Sequence, residues 1–401
     1  MTGNPRNCVL FDDQTRGHLL PFTFVRPISE IRVGILTIRE KWERWTGQSF
    51  SYITEDYLRE KYPLTIAEEN LIINGSVTPN RELLNEISAL ACGEVLMHDN
   101  LLVAGCMDKE SLESFDIFVA SGYSQKQVQS SFNRISRPWH IFRLNGEELK
   151  VDFDIVTAGR NSAGMSSTNN LIHPENIFAE EGARFEYCTV NASTGPVYIG
   201  KDAEIMEGSL IRGPFALCEG GQVKMGAKIY GPTTVGPYSR VGGEVTNSVI
   251  FGYSNKVHEG YLGNSVIGEW CNIGAGSNIS NLKNNFSLVK VWSYVSGKAE
   301  ETGLQFCGLM MGDYSRCGIN TVFNTGSVVG VSANIYGAGF PGNFIPSFSW
   351  GGAAGFETYR MTRAIETLEK AMLSKNLALS ETGRKIISCV FVLTDRYRKS
   401  V

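Results

Sequence analysis

An aliphatic residue returns at every sixth position from Ile199: Ile199, Ile205, Ile211, Leu217, Val223, Ile229, Val235 and Val241. Small, polar and Pro residues fill the intervals, and a Gly directly follows the aliphatic residue at Gly200, Gly236 and Gly242. A period of six fits neither the 3.6-residue repeat of a helix nor the two-residue alternation of a half-buried strand. It fits a hexapeptide β-helix, in which each short rung turns one side chain inward and Gly-rich corners bend the chain. The repeat resumes at Ile267, Ile273 and Ile279, and again at Met311, Cys317, Phe323, Val329 and Ile335. The stretch between Val241 and Ile267 therefore reads as a slip, an ejected loop or a change of rung.

The chain is long enough for two or three domains. Its 43 Gly residues exceed the usual ~7% and concentrate in the repeat, where corners use them. The net charge of −4 is made of interspersed signs, which argues against nucleic acid or an anionic membrane surface as a partner. Nine Cys without a Cys-x-x-Cys pair imply reduced thiols, with no disulfide framework and no zinc site. The N-terminus lacks the basic-then-apolar order of a signal peptide, and the apolar run 386–393 falls short of the ~20 residues that span a bilayer. A soluble, cytoplasmic protein is expected.

Four regions follow. Residues 1–156 alternate short buried strands (8–11, 71–74) with helical stretches, and form an α/β domain. Within it Thr37 and Glu40 make a capping box closed by Gly47. Thr78 and Pro79 suit the N-cap and first position of a helix, and Asp99-Asn100 is a hairpin turn. Residues 157–170, rich in Ser, Asn, Gly and Ala, read as a linker. The β-helix occupies 171–340. Residues 341–401 form a helical extension, with Met361, Ile365, Leu368 and Met372 at helical spacing, that covers an open end or flank of the β-helix.

Chemistry is expected in the slip. His258 stands beside the break in register, and an imidazole with an ordinary pKa near ~6.5 suits a general base. It precedes Tyr261-Leu262-Gly263 by three residues, and Gly274-Ala275-Gly276 and Asn281 follow. In order and spacing this resembles the acetyltransferase half of the bifunctional glucosamine-1-phosphate acetyltransferase / N-acetylglucosamine-1-phosphate uridylyltransferase family, in its Bacteroidetes-like variant, over residues 195–340. The resemblance implies a left-handed β-helix and acetyl-CoA as cosubstrate. It also implies a homotrimer with sites shared between chains, and a role in UDP-N-acetylglucosamine synthesis. His258 would take a proton from the 2-amino group of a sugar phosphate, and Tyr261 and Asn281 would contact that acceptor. Gly274, Ala275 and Gly276 would hold the pantetheine arm, and a backbone amide there would meet the oxyanion. The family's phosphate-holding Lys falls on Thr246, so Arg240 and Lys256 are the nearest replacements. Asn264 stands in place of an Asp, and Leu282 in place of a Tyr.

The N-terminal region resembles the start of sugar-1-phosphate nucleotidyltransferases through Thr15-Arg16, Leu20-Pro21 and Arg26-Pro27. The resemblance implies a shortened uridylyltransferase-like domain that binds UTP through Asp13, Arg16, Arg26 and Arg32, with Asp13 on Mg²⁺. The glycines of that family's triphosphate loop are replaced by Asp12, Asp13 and Gln14, and Asn74 stands at its metal-binding Asp. Three readings stay open: a bifunctional enzyme; an acetyltransferase with a catalytically inert N-terminal domain; and a non-catalytic sugar-nucleotide-binding or scaffold protein.

Overall fold

The computed structural model describes residues 6–115 and 122–399. The chain forms two compact units. The first comprises 1–19, 26–31 and 36–137; the second comprises 20–25, 32–35 and 138–401.

The first unit is built on a mixed six-stranded sheet of order β2-β1-β3-β5-β4-β6. Its strands are β1 Asn7–Phe11, β2 Phe50–Ile53, β3 Glu69–Asn74, β4 Glu94–His98, β5 Leu101–Asp108 and β6 Ser124–Gln127. β1 runs parallel to both β2 and β3, so the loops leaving β1 and β3 emerge at the same edge. α1 (Thr15–His18) follows β1 directly. In α2 (Ile38–Thr46) the Thr37–Glu40 capping box forms and Gly47 takes the left-handed C-terminal position. The hairpin turns at Asp99, whose φ is positive. α3 (Arg81–Ser88) starts later than expected. Asn80, rather than Thr78, is its N-cap, and the Asn80 side chain accepts from Leu83 N–H, satisfying a donor the helix leaves open. α4 (Lys109–Glu113) completes the unit.

α5 (Pro138–Thr157), expected in the N-terminal domain, falls in the second unit together with 20–25 and 32–35. Residues 157–170 also differ from a free linker. Ala163 N–H donates to Ala179 O and the Asn169 amide to Phe185 O, and Ala163 and Met165 pack on the end of the solenoid core. These residues cap its first turn.

The solenoid that follows has three faces. The first begins with the ladder from Asn170–Ile172 to Tyr261–Gly263. By position in each turn, the pair Asn278–Ile279 and Val322–Phe323 extends it. The second face has nine strands, from Ile177–Ala179 to Phe344–Ile345. The third has ten, beginning at Arg184–Phe185. Apart from the last strand, all pairing on these faces is parallel and in register. Ile199 thus stacks on Leu217, which stacks on Val235, all fully buried. Each such aliphatic side chain removed from water contributes about 1.5–3 kcal/mol, which is why the six-residue period specifies the fold.

The register does not break between Val241 and Ile267. The inward positions continue through Val245, Ile250, Lys256 and Leu262 to Ile267, with the intervals into Val245, Ile250 and Ile267 shortened. The true ejection comes later: residues 282–306 leave the first face as an arm containing the antiparallel hairpin Lys290–Ser293 and Lys298–Glu301. The solenoid also outruns residue 340. Ser349–Gly352 joins the third face, and Gly355–Thr358 pairs with it antiparallel, covering the edge that a last rung exposes. α6 (Met361–Leu373), α7 (Glu381–Leu393) and α8 (Asp395–Arg398) then flank this end. Phe391 packs edge-on against Phe348. All nine Cys are free thiols, and among the described residues no helix is long and apolar enough to cross a membrane.

Candidate active site

The corner joining the third face to the first repeats in each turn, and its copies stack. Residues 242–243, 257–260, 274–277 and 318–321 occupy it in successive turns. His258 stands on the second of these, exposed to solvent, with no hydrogen-bond partner for its imidazole among the described residues. The Gly274-Ala275-Gly276 corner lies in the next turn, tied to it by Gly276 N–H donating to Glu259 O at 3.0 Å. Close stacking explains the glycines. A Cβ on Gly260, whose φ is +121°, would run into Ser277 O, and one on Gly274 into Gly318 O.

Within the Gly-Ala-Gly corner, Gly274 N–H donates to Cys317 O at 3.1 Å and Ser277 N–H to Gly274 O at 3.3 Å. The Ala275 N–H is the amide of this turn left without a partner among the described residues. An unspent backbone donor one turn from an exposed His is what an oxyanion requires. The second amide of the equivalent corners, at Met225 and Ile319, is likewise without a backbone partner among the described residues, so the spare donor belongs to the corner geometry.

Beyond the corner, the first face carries a neutral polar cluster. The Asn281 amide donates to the Tyr261 hydroxyl at 2.9 Å and to Asn264 Oδ1 at 2.7 Å. Tyr261 N–H donates to Asn278 Oδ1 at 3.0 Å. Burial pushes the Tyr261 hydroxyl up in pKa, and hydrogen bonds from Thr246 and Asn281 oppose the rise. The structure therefore brings Tyr261, Asn281 and the two unexpected residues, Asn264 and Thr246, to one place.

The two expected phosphate cations are elsewhere. Lys256 occupies an inward position, paired in register with Val241, and is only 3% exposed. Its ammonium donates to Gly242 O at 3.0 Å and to His258 O. Burial lowers its pKa to about 8. Lys256 cannot also meet a solvent-borne phosphate. Arg240 lies on the outer surface of the third face, in a row with Gln222 and Asn255. Tyr261 and Asn281 sit on or beside the first. Besides the buried Lys256, Lys228 also approaches the His258 corner, 3.7 Å from Glu259.

In the first unit, a cavity of about 960 Å³ opens where β1 and β3 end, lined among others by Asp13, Gln14, Asn74, His98, Asn100 and Arg134. Carboxyl ends of parallel strands are where open α/β sheets bind ligands. Asp13 lies in this cavity as expected, but it is already engaged. It accepts from Arg134 at 2.8 Å, Asn74 Nδ2 at 3.0 Å and Thr15 N–H at 2.8 Å. Arg134 also donates to Ser76 Oγ at 3.1 Å. No local motif marks Arg134, because it lies far along the chain from Asp13.

The other nucleotide residues fall away. Arg16 is 8% exposed and spent on Asp12 at 2.7 Å, Arg26 O at 3.0 Å and the Tyr57 hydroxyl at 3.2 Å. Arg26 is itself buried. Arg32 belongs to the second unit and donates to Ile35 O. With Asp12 turned to Arg16 and Asp13 neutralised by Arg134, neither carboxylate is disposed to hold Mg²⁺. No group of three metal-ligating side chains gathers among the described residues. The residues present do not fit a resident metal.

Fold and site define a two-part protein, an α/β domain followed by a parallel β-solenoid with a stacked His and Gly-Ala-Gly corner. Residues 8–161 match the family model described as sugar nucleotidyl transferase. Over 205 residues, half of this chain and 44% of the other protein, the sequence is 36% identical to the bifunctional sugar-1-phosphate nucleotidylyltransferase/acetyltransferase of Sulfurisphaera tokodaii. The match thus spans less than half of that curated relative. Among solved structures, the UDP-N-acetylglucosamine acyltransferase of Campylobacter jejuni is 14% identical with a TM-score of 0.25, covering 57% of this chain and 96% of that one. The Arabidopsis UDP-N-acetylglucosamine acyltransferase is 15% identical with a TM-score of 0.21, covering 59% and 92%. Overlap so slight adds nothing to the solenoid's own ladders.

Proposed function

We propose that the solenoid is a sugar-phosphate N-acetyltransferase that moves acetyl from acetyl-CoA to the amine of glucosamine 1-phosphate or a similar amino-sugar phosphate. The observation that carries this is the stacking of the corner bearing His258 on the Gly274-Ala275-Gly276 corner, next to the face that holds the Tyr261–Asn281–Asn264 cluster. The acceptor amine attacks the thioester carbonyl, its N–H proton passes to the His258 imidazole, and the C–S bond breaks. The CoA thiolate leaves and is reprotonated. In this reading the Ala275 N–H meets the oxyanion, and the small corner residues admit the pantetheine arm. Tyr261 and Asn281 hold sugar hydroxyls. A homotrimer of left-handed solenoids in the cytoplasm is the expected setting.

The N-terminal domain is proposed to carry the paired nucleotidyl transfer from UTP, supported by its family match and by the cavity that Asp13 and Arg134 line. The burial of Arg16 and Arg26 favours a second reading, an acetyltransferase whose N-terminal domain binds a sugar nucleotide without turning it over.

Thiol release from acetyl-CoA with glucosamine 1-phosphate tests the first activity. It is expected in the parent and lost in His258→Ala; undiminished release in that variant would sink the assignment. Pyrophosphate release from UTP with N-acetylglucosamine 1-phosphate decides between the two readings of the N-terminal domain.

A further inference from the structure

The inward positions of the third face are apolar on both sides of the candidate site: Ile205, Val223 and Val241 before it, Ile273, Cys317 and Ile335 after. Only at Lys256 does this run of the ladder turn a charged side chain inward. An ammonium in an aliphatic stack opposes folding unless its donors are used, so its contacts show what it does.

Those contacts lie beneath His258. The corner below is two residues long (242–243), where its neighbours 224–227, 257–260 and 274–277 have four. Because residues 242 and 243 are both Gly, the carbonyls of the next turn come down onto them. A Cβ on Gly242 would collide with Val257 O, and one on Gly243 would sit 2.9 Å from His258 O. The shortened corner thereby faces Gly242 O and His258 O toward the same interior point, where two carbonyl dipoles repel. The Lys256 ammonium fills that point and donates to both.

We propose that Lys256 is a positioning residue for acyl transfer, fixing the His258 peptide on the tightened Gly242–Gly243 corner so that the imidazole stands at the height of the Gly274-Ala275-Gly276 turn. The inference rests on the reading of His258 as the proton acceptor. With an apolar side chain at 256, the two carbonyls relieve their repulsion by rotating the 258–259 peptide, and the imidazole moves with it. A displacement near 1 Å costs on the order of 10²-fold in rate, while the sugar and CoA contacts stay in place.

Lys256→Met and Lys256→Ile, made in the full chain, test this in the thiol-release assay with acetyl-CoA and glucosamine 1-phosphate. Each puts into the stack the kind of side chain its neighbours already carry. The expected result is a melting temperature at or above the parent's, with kcat lowered 10- to 100-fold and both KM values within threefold. Partial recovery of kcat in Lys256→Ala on adding ethylammonium supports the same placement. Parent-like kcat in the Met and Ile variants overturns the proposal. So does loss of stability and activity in step without recovery by ethylammonium, which is the mark of a purely structural lysine. Parent-like release in a His258→Ala control overturns the acyl-transfer reading itself, and so separates that failure from an error about Lys256.

Discussion

The Asn281 side-chain amide donates to the Tyr261 hydroxyl at 2.9 Å from the following turn of the solenoid, and its second hydrogen reaches Asn264 Oδ1 at 2.7 Å. One amide thus fixes two neighbours, and it does so over Gly263. A Cβ at Gly263 would lie 2.7 Å from Asn281 Nδ2 and would also strike the Tyr261 hydroxyl. Asn281→Ala removes both bonds, at about 0.5–1.5 kcal/mol each, and Gly263→Ala displaces both groups. Both variants are expected to raise KM for the amino-sugar phosphate about tenfold and to leave KM for acetyl-CoA near the parent's. Steady-state kinetics with each substrate varied in turn checks this; equal rises in both KM values would place the cluster outside the acceptor site.

Asp12 and Arg16 behave as a buried unit. The carboxylate accepts from Arg16, the Thr54 hydroxyl at 2.6 Å and Ile28 N–H at 2.7 Å. Removing one partner of such a pair leaves the other charged and unmatched, a loss of about 3–5 kcal/mol, whereas replacing both is far less costly. Arg16→Met is therefore expected to lower the unfolding midpoint of the N-terminal unit sharply, and Asp12→Leu in the same chain to recover most of it. Chemical denaturation followed through Trp42 and Trp45 reports the change. A stable Arg16→Met protein with a raised KM for UTP would return Arg16 to the nucleotide site.

Arg134 makes the opposite case. Its side chain is 31% exposed and borders the cavity while holding Asp13. Arg134→Ala removes the cation and frees a carboxylate in the same place, so an anionic ligand loses an attraction and gains a repulsion. Binding of UTP, measured by calorimetry, is expected to weaken at least tenfold with a melting temperature within a few degrees of the parent's. Unchanged binding would mean that the phosphates lie elsewhere.

The solenoid was legible because long runs of inward side chains obey one period, and burial enforces that period strand by strand. The stretch between Val241 and Ile267, which holds several corners, is where that period fails as a guide. A count of six cannot follow links that shorten to two residues, and it has no place for a lysine as a rung residue. Once Lys256 is read as inward, the interval from Ile250 through Lys256 to Leu262 is again six and six. His258, Tyr261 and Asn281 stand out as candidates because they fall within one short stretch of the sequence. Arg134 does not, because its partner Asp13 lies far away along the chain. Arg16 is expected as a ligand only through the resemblance of Thr15-Arg16 to the nucleotidyltransferase loop. Only the fold shows Asp12, Thr54 and Tyr57 closing around it.

Lys256 also carries a pH signature. Burial in the aliphatic stack lowers its pKa from 10.5 to about 8; Glu259 opposes that fall and Lys228 adds to it. In the unfolded chain the same group titrates near its ordinary value. Between pH of about 8 and 10.5 the unfolded state thus holds a proton that the folded state has released, and stability rises with pH across that window. The contribution is complete above the unfolded pKa and is lost as pH falls through the folded one. The full shift corresponds to on the order of 3 kcal/mol. Lys256→Met lacks the group, and the remaining titrations are common to both proteins. The variant's advantage in melting temperature is therefore expected to be largest at pH 7 and to shrink steadily toward pH 10. Thermal melts of both proteins at pH 7, 8.5 and 10 measure that difference. A gap that stays constant or widens would show that the ammonium titrates as an exposed lysine does, and would remove it from beneath His258.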